Sequence, residues 1–176
     1  MLASIAGRVV DGDGKPQSGV PIELIVMNGR FGLGQTVGLS DEKGEYRIDN
    51  LFADSKCTVE VQADGYGKAS TKQIRLKAGA VVTVKDLVLR KRDAFVAGTV
   101  LDDDGNPVAG LQLTLQCPLS GLSIVNTDKD GKFRVAVVAG DTPTIIFQIK
   151  GHGFTSRKVK AGDEDIMIDP LADTAK

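Results

Sequence analysis

The chain has 176 residues, with 22 Lys and Arg against 23 Asp and Glu for a formal charge of −1, and is 41% apolar and 26% charged. The charge balance argues against nucleic acid as a partner, since that needs a basic face to release counterions from phosphates. The apolar fraction sets the chain apart from disordered sequences. A zinc site usually takes three or four His, Cys or carboxylate ligands, and one His and two Cys without C-x-x-C or H-E-x-x-H argue against metal catalysis.

In chain order, MLASIAGRVV at 1–10 carries Arg8 where a signal peptide would have its apolar centre, and it alternates as a strand. As a native start it would mean a cytosolic protein; as the start of an excised segment it leaves the compartment open. D-G-D-G-K-P at 11–16 is a turn, because Gly supplies positive φ and Asp bonds its own backbone. N-G-R-F-G-L-G at 28–34 lacks the Lys-Ser/Thr of a phosphate cradle and does not open a helix. It reads as a surface loop, and Arg30, Phe31 and Leu33 are the candidate partner contacts there. D-E-K-G at 41–44 is a second turn, followed by Tyr46 at an inward strand position. A short charged linker, Arg90-Lys91-Arg92-Asp93, precedes Val96, Gly98 and Val100 on the next strand.

Beyond it, D-D-D-G-N-P at 102–107 and D-K-D-G at 128–131 repeat the turn signals. Leu111, Leu113 and Leu115 alternate with Gln112, Thr114 and Gln116; Phe133, Val135 and Val137 alternate with Lys132, Arg134 and Ala136. Ile145, Phe147 and Ile149 do likewise. The period is two throughout, with no convincing helix. No apolar run approaches the ~18 residues that span a bilayer.

These elements occur twice. A-G-R-V-V-D-G-D-G-K-P-Q-S-G at 6–19 lines up with A-G-T-V-L-D-D-D-G-N-P-V-A-G at 97–110, and S-D-E-K-G-E-Y-R-I at 40–48 with T-D-K-D-G-K-F-R-V at 127–135. V-E-V-Q-A-D-G-Y at 59–66 matches I-I-F-Q-I-K-G-H at 145–152. The first copy holds four extra residues between the first two blocks. Two tandem modules follow, 1–91 and 92–176. About seven short strands in each indicate small antiparallel β-sandwiches. Cys57 and Cys117 fall in different modules and read as separate buried thiols.

The order I-A-G-R-V-V-D-G-D-G-K-P, S-G-V-P-I-E-L, S-D-E-K-G-E-Y-R-I, V-E-V-Q-A-D-G-Y resembles the carboxypeptidase regulatory-like domain, and the second copy does so equally. The resemblance implies an all-β protein of two tandem seven-stranded, Ig-like (prealbumin-like) antiparallel sandwiches. It further implies a non-catalytic spacer, folding or docking module of a secreted, cell-surface or periplasmic protein, partnered by protein or by other domains of a larger chain. No cofactor, nucleic acid or membrane insertion is expected, and the module is expected to be a monomer.

Other chemistries are weaker. Asp102 and Asp104 are the best candidates for a hard cation, but the twelfth position from Asp102 is Leu113 instead of a bidentate Glu, so a solvated turn is expected. His152 could serve Ser156 or Ser123 as a base, yet it occupies the repeat position of Tyr66 and reads as a residue sealing the sandwich end. Intradiol dioxygenases share the fold class but use paired Tyr and several His. Carbohydrate remains an alternative ligand, which would require two exposed, coplanar aromatic rings.

Overall fold

Alternating burial along each strand is what divides this chain into sheets. In the computed structural model, which describes residues 2–28, 31–148 and 153–169, Ile5 and Val9 are buried beside exposed Arg8. Leu113, Leu115 and Cys117 are likewise buried between exposed glutamines. The described residues form strands and turns with no helix, in two compact units, Met1–Arg90 and Lys91–Lys176.

The first unit contains β1 (Ala3–Asp11), β2 (Pro21–Asn28), β3 (Phe31–Leu39), β4 (Glu45–Leu51), β5 (Lys56–Val61), β6 (Ala69–Ser70), β7 (Ile74–Arg75), β8 (Val81–Thr83) and β9 (Leu87–Leu89). One sheet has the order β4-β1-β8, with β9 also on β1; the other runs β3-β2-β5-β6, with β7 also on β5. Ile5, Val9, Tyr46 and Ile48 of the first sheet pack against Ile22, Leu24, Val59 and Val61 of the second. The second unit contains β10 (Ala94–Val100), β11 (Gln112–Cys117), β12 (Gly121–Asn126), β13 (Lys132–Val137), β14 (Thr144–Gln148), β15 (Phe154–Lys158) and β16 (Ile166–Ile168). Its sheets are β13-β10-β16 and β12-β11-β14-β15, closed over Val96, Leu113, Leu115, Phe133, Ile145 and Ile168.

Two features differ from the expectation of seven antiparallel strands per module. The first unit has nine strands among the described residues, because two are broken. Between β6 and β7, Thr71 bonds Val59 through both its backbone N–H (2.9 Å) and its Oγ1, which accepts the Val59 N–H at 3.0 Å, so a side chain replaces part of the ladder. β8 pairs with residues 4–6 of β1 and β9 with residues 9–11. The break faces Gly7. The second difference is direction: β8 and β9 run parallel to β1, and β16 parallel to β10. The last described strand of each unit thus lies beside that unit's own first strand and in the same sense.

The strand glycine explains how the ends close. A Cβ at Gly7 would lie 2.6 Å from both Tyr46 Oη and Val84 Cγ2, and one at Gly98 would lie 2.1 Å from the Ile166 carbonyl oxygen. Glycine lets the core ring and the last strand approach the first strand directly. Tyr46 and its repeat mate Phe133 are both buried, but the Tyr46 hydroxyl has no hydrogen-bond partner. Burial pushes its pKa up to about 12.

Tyr46→Phe should therefore leave stability unchanged or raise it by about 1 kcal/mol, since it removes a buried hydroxyl that bonds nothing. The alkaline behaviour has a fixed sign. The folded pKa lies above the unfolded value of 10.0, so the first unit loses stability as pH rises from 10 toward about 12. Denaturant unfolding at neutral and at alkaline pH checks both points: the variant should be less alkali-sensitive than the parent, and a loss of stability at neutral pH would contradict the assignment.

Candidate functional site

Four acidic turns carry most of the conspicuous polar chemistry, and they share one geometry. In each, an Asp Oδ1 accepts the backbone N–H groups two and four residues on: Asp13 and Lys15 at Asp11, Lys43 and Glu45 at Asp41, Asp104 and Asn106 at Asp102, Asp130 and Lys132 at Asp128. The Gly three residues on donates its N–H back to the Asp carbonyl in all four. These bonds to the ionised form, led by the N–H of Asn106 at Asp102 and of Lys132 at Asp128, hold both carboxyls below the usual Asp range. Asp102, the leading metal candidate, thus has Oδ1 engaged by its own turn and Oδ2 by the Asn106 amide at 3.4 Å. Asp104 enters as an N–H donor to Asp102. Among the described residues no group of three His, Cys, Asp or Glu is placed to hold a metal.

Beside each second turn stands a buried hydroxyl. Ser40 Oγ donates to the Gln17 carbonyl (2.6 Å) and accepts the Val20 N–H (3.0 Å); Thr127 Oγ1 donates to the Val108 carbonyl (2.6 Å) and accepts the Leu111 N–H (2.9 Å). The pair sits at matching repeat positions and fastens the connection that crosses between sheets. The repeat brought these residues into view, but nothing in their identity signalled burial.

A second polar cluster has no counterpart in the sequence reading. Asp141, 1% exposed, accepts the N–H groups of Leu119 (3.1 Å) and Thr142 (2.9 Å) on Oδ1, and the N–H (2.8 Å) and hydroxyl (2.6 Å) of Ser120 on Oδ2. Ser120 Oγ in turn accepts the Val138 N–H at 2.7 Å. Arg92 Nη2 donates to the Ser120 carbonyl at 2.6 Å, while its Nε is buried without a partner. Cys117 lies nearby; burial, aided by the Asp141 charge, pushes its thiol up to about 11. That thiol stays protonated at neutral pH and is a poor nucleophile. The Ser120 hydroxyl donates to the Asp141 carboxylate, whose oxygens also accept three backbone N–H groups, and it accepts the Val138 N–H, so both side chains are engaged in holding backbone. Both cysteines are free and buried.

Each unit also has a surface groove over its first-strand glycine. The first, about 540 Å³, lies between Arg8, Arg47, Tyr46 and Asp86; the second, about 610 Å³, between Phe133, Arg134, Glu164 and Ile166. Arg8 pairs with Asp86 at 2.6 Å and Arg134 with Glu164, so an ion pair lies at each groove. Arg134 also stacks 3.9 Å above the Phe95 ring.

The segment that carries the partner-contact candidates is built differently from expectation. Arg30 and His152 lie outside the described residues. Phe31 opens β3, and Leu33, 77% exposed, pairs with Val26 in the β2–β3 ladder. The expected surface loop is therefore mostly a strand: the extra residues lengthen a hairpin. Among the described side chains two rings are largely exposed, Phe52 in the first unit and Phe154 in the second.

Residues 4–90 match the carboxypeptidase regulatory-like domain family. No curated protein matches the chain by sequence. Among solved structures, a Streptococcal ancillary pilin is 16% identical, with 97% of this chain and 62% of that one covered at a TM-score of 0.41. The minor pilin of Streptococcus agalactiae is 11% identical over 95% of this chain and 94% of its own, at 0.44. Catechol 1,2-dioxygenase from Acinetobacter is 16% identical over 51% of this chain and 52% of its own, at 0.36.

The closed turns generate a direct test. Millimolar Ca²⁺ should leave the thermal midpoint unchanged, whereas a site filled at 100 times its Kd would add about 2.7 kcal/mol. A midpoint raised by Ca²⁺ in the parent chain and not in Asp102→Ala would show that the turn opens to bind metal.

Proposed function

We propose that this chain, whose first unit is a carboxypeptidase regulatory-like domain, is a non-catalytic structural and docking module: two homologous prealbumin-like sandwiches in tandem within a larger secreted or cell-surface protein. The observation that carries the reading is the duplicated framework. The turn aspartates and the Ser40 and Thr127 hydroxyls are engaged, at matching positions of both units, in holding turns and crossings, and the Ser120–Asp141 pair of the second unit is engaged with backbone. Duplication of a fold without duplication of a reactive cluster favours a spacer or docking role, and so does the family matched by the first unit.

The partners in this reading are proteins or neighbouring domains. Sugar binding is less favoured, because among the described residues neither unit by itself offers two exposed rings: the first has Phe52 and the second Phe154. Among the described residues no helix is long and apolar enough to cross a membrane.

Protease protection of the epitope-tagged native protein tests the reading. On intact cells of the source, externally added protease should cleave the tagged module. Protection that persists until the cells are lysed would place it inside and overturn the proposal.

A further inference from the structure

Sheet edges expose unpaired N–H and C=O groups, and folded proteins protect them with charge, brevity or bulges. Nearly every edge here is protected in one of these ways. β4 carries Glu45, Arg47 and Asp49, β13 carries Lys132 and Arg134, and β15 carries Arg157 and Lys158. β6, β7, β8, β9 and β16 are two or three residues long. β3 is uncharged but holds three glycines and a bulge at Val37, where Gly38 pairs with Ile22 and Thr36 with Glu23.

β12, G-L-S-I-V-N, has none of these devices. All six of its residues pair with β11 in unbroken register, and among the described residues no strand pairs on its other side. Its outward side chains are Leu122 and Ile124, 61% and 60% exposed, followed by the uncharged Asn126 at the strand end. Their neighbours inward along the sheet are Gln116 and Thr114, then Thr144 and Ile146, so the two strands next to this edge carry no charge in those rows, and the first charge is Lys158 on β15, opposite Thr144. Exposed apolar side chains on a regular, uncharged edge are the features that natural sheets avoid unless the edge is used.

We propose that β12 is a pairing edge whose occupant is β12 of a second copy of this chain, joined antiparallel about Ser123. The edge is complementary to itself. With Ser123 opposite Ser123, Leu122 of each copy lies opposite Ile124 of the other on the same face, at a Cβ separation of about 4.5–5.5 Å. Two aliphatic pairs form, and no charge meets a like charge. The contact is two-fold, so it uses up both edges and stops at a dimer. One strand pair buries less than the ~800 Å² per partner of a standard interface, so the dimer forms in a concentration-dependent way. This revises the monomer expected from the sequence. It is independent of the surface location proposed above, which could fail while the pairing holds.

Sedimentation equilibrium of the full chain over a wide concentration series tests the pairing. Ile124→Lys places a charge on the edge at an already exposed site. Thr114→Lys places one on the same face, one strand further in. The mass of the parent should rise toward that of a dimer and no further, Ile124→Lys should weaken association at least tenfold, and Thr114→Lys should leave it near the parental value. Amide exchange should show the β12 backbone gaining protection as concentration rises. A parent that stays monomeric, as it would if a foreign strand were the occupant, overturns the proposal. So does assembly beyond a dimer, or equal loss in both variants, which would mean that sheet faces stack. If Ile124→Lys failed to fold, unchanged β12 exchange in the parent across concentrations would be the contradicting result.

Discussion

The residue on which each unit turns is the valine near the end of its first strand. Val9 donates its N–H to the Gly44 carbonyl at 2.8 Å and accepts the Gln17 N–H at 3.0 Å; Val100 does the same with Gly131 (2.9 Å) and Val108 (2.9 Å). One strand residue is thereby clasped between two aspartate turns that are distant in sequence. The buried hydroxyl of Ser40 or Thr127 then ties the segment carrying Gln17 or Val108 to the next strand. The clasp sits where the chain leaves one sheet and enters the other, so it fixes both registers together. Its geometry requires glycine: a Cβ at Gly44 would be 2.4 Å from the Val9 carbonyl oxygen, and one at Gly131 would be 2.7 Å from that of Val100. Both residues also hold positive φ, 73° and 69°. Gly14 and Gly105, in the other turn of each unit, have positive φ but open space, so their requirement is conformational alone.

Much of this was legible in residue order. Period-two alternation placed Ile5, Val9, Phe133, Val137 and Phe147 inside, because in a two-sheet protein burial on one face of a strand forces that alternation. The D-x-x-G spacing marked all four turns, because side-chain and backbone bonds there are local. What escaped the sequence was non-local. The parallel pairing of the last strand with the first depends on how the chain crosses between sheets, which has no local signature. The breaks at Thr71 and opposite Gly7 depend on a partner strand, as does the lengthened β2–β3 hairpin, whose glycines resemble a loop. Burial of Asp141 contradicts its residue type, and it became possible only because four donors converge on it.

The two units share a scaffold and differ at its margins. The first has the longer hairpin, with exposed Leu33 pointing from β3. The second has an unprotected edge and the Arg92–Ser120–Asp141 network, which anchors the start of the unit to the turn after β11. Residues that build the clasp are committed to the fold, so in the docking role proposed above the partner contacts would fall on the features that differ. This is the usual division in small sandwiches: the conserved geometry supports, and the edges and loops recognise.

The central claim is that the hydroxyl-backed clasp holds the crossing between sheets. Replacing Thr127 with Val keeps the volume and removes only the hydroxyl, leaving the Val108 carbonyl and the Leu111 N–H without their partner. The most direct measurement is denaturant unfolding of Thr127→Val, with amide exchange reporting the second unit separately. A loss of about 1–3 kcal/mol confined to that unit is expected, in line with two half-buried backbone groups losing their partner. A change within about 0.5 kcal/mol, the range of an ordinary surface substitution, would contradict it.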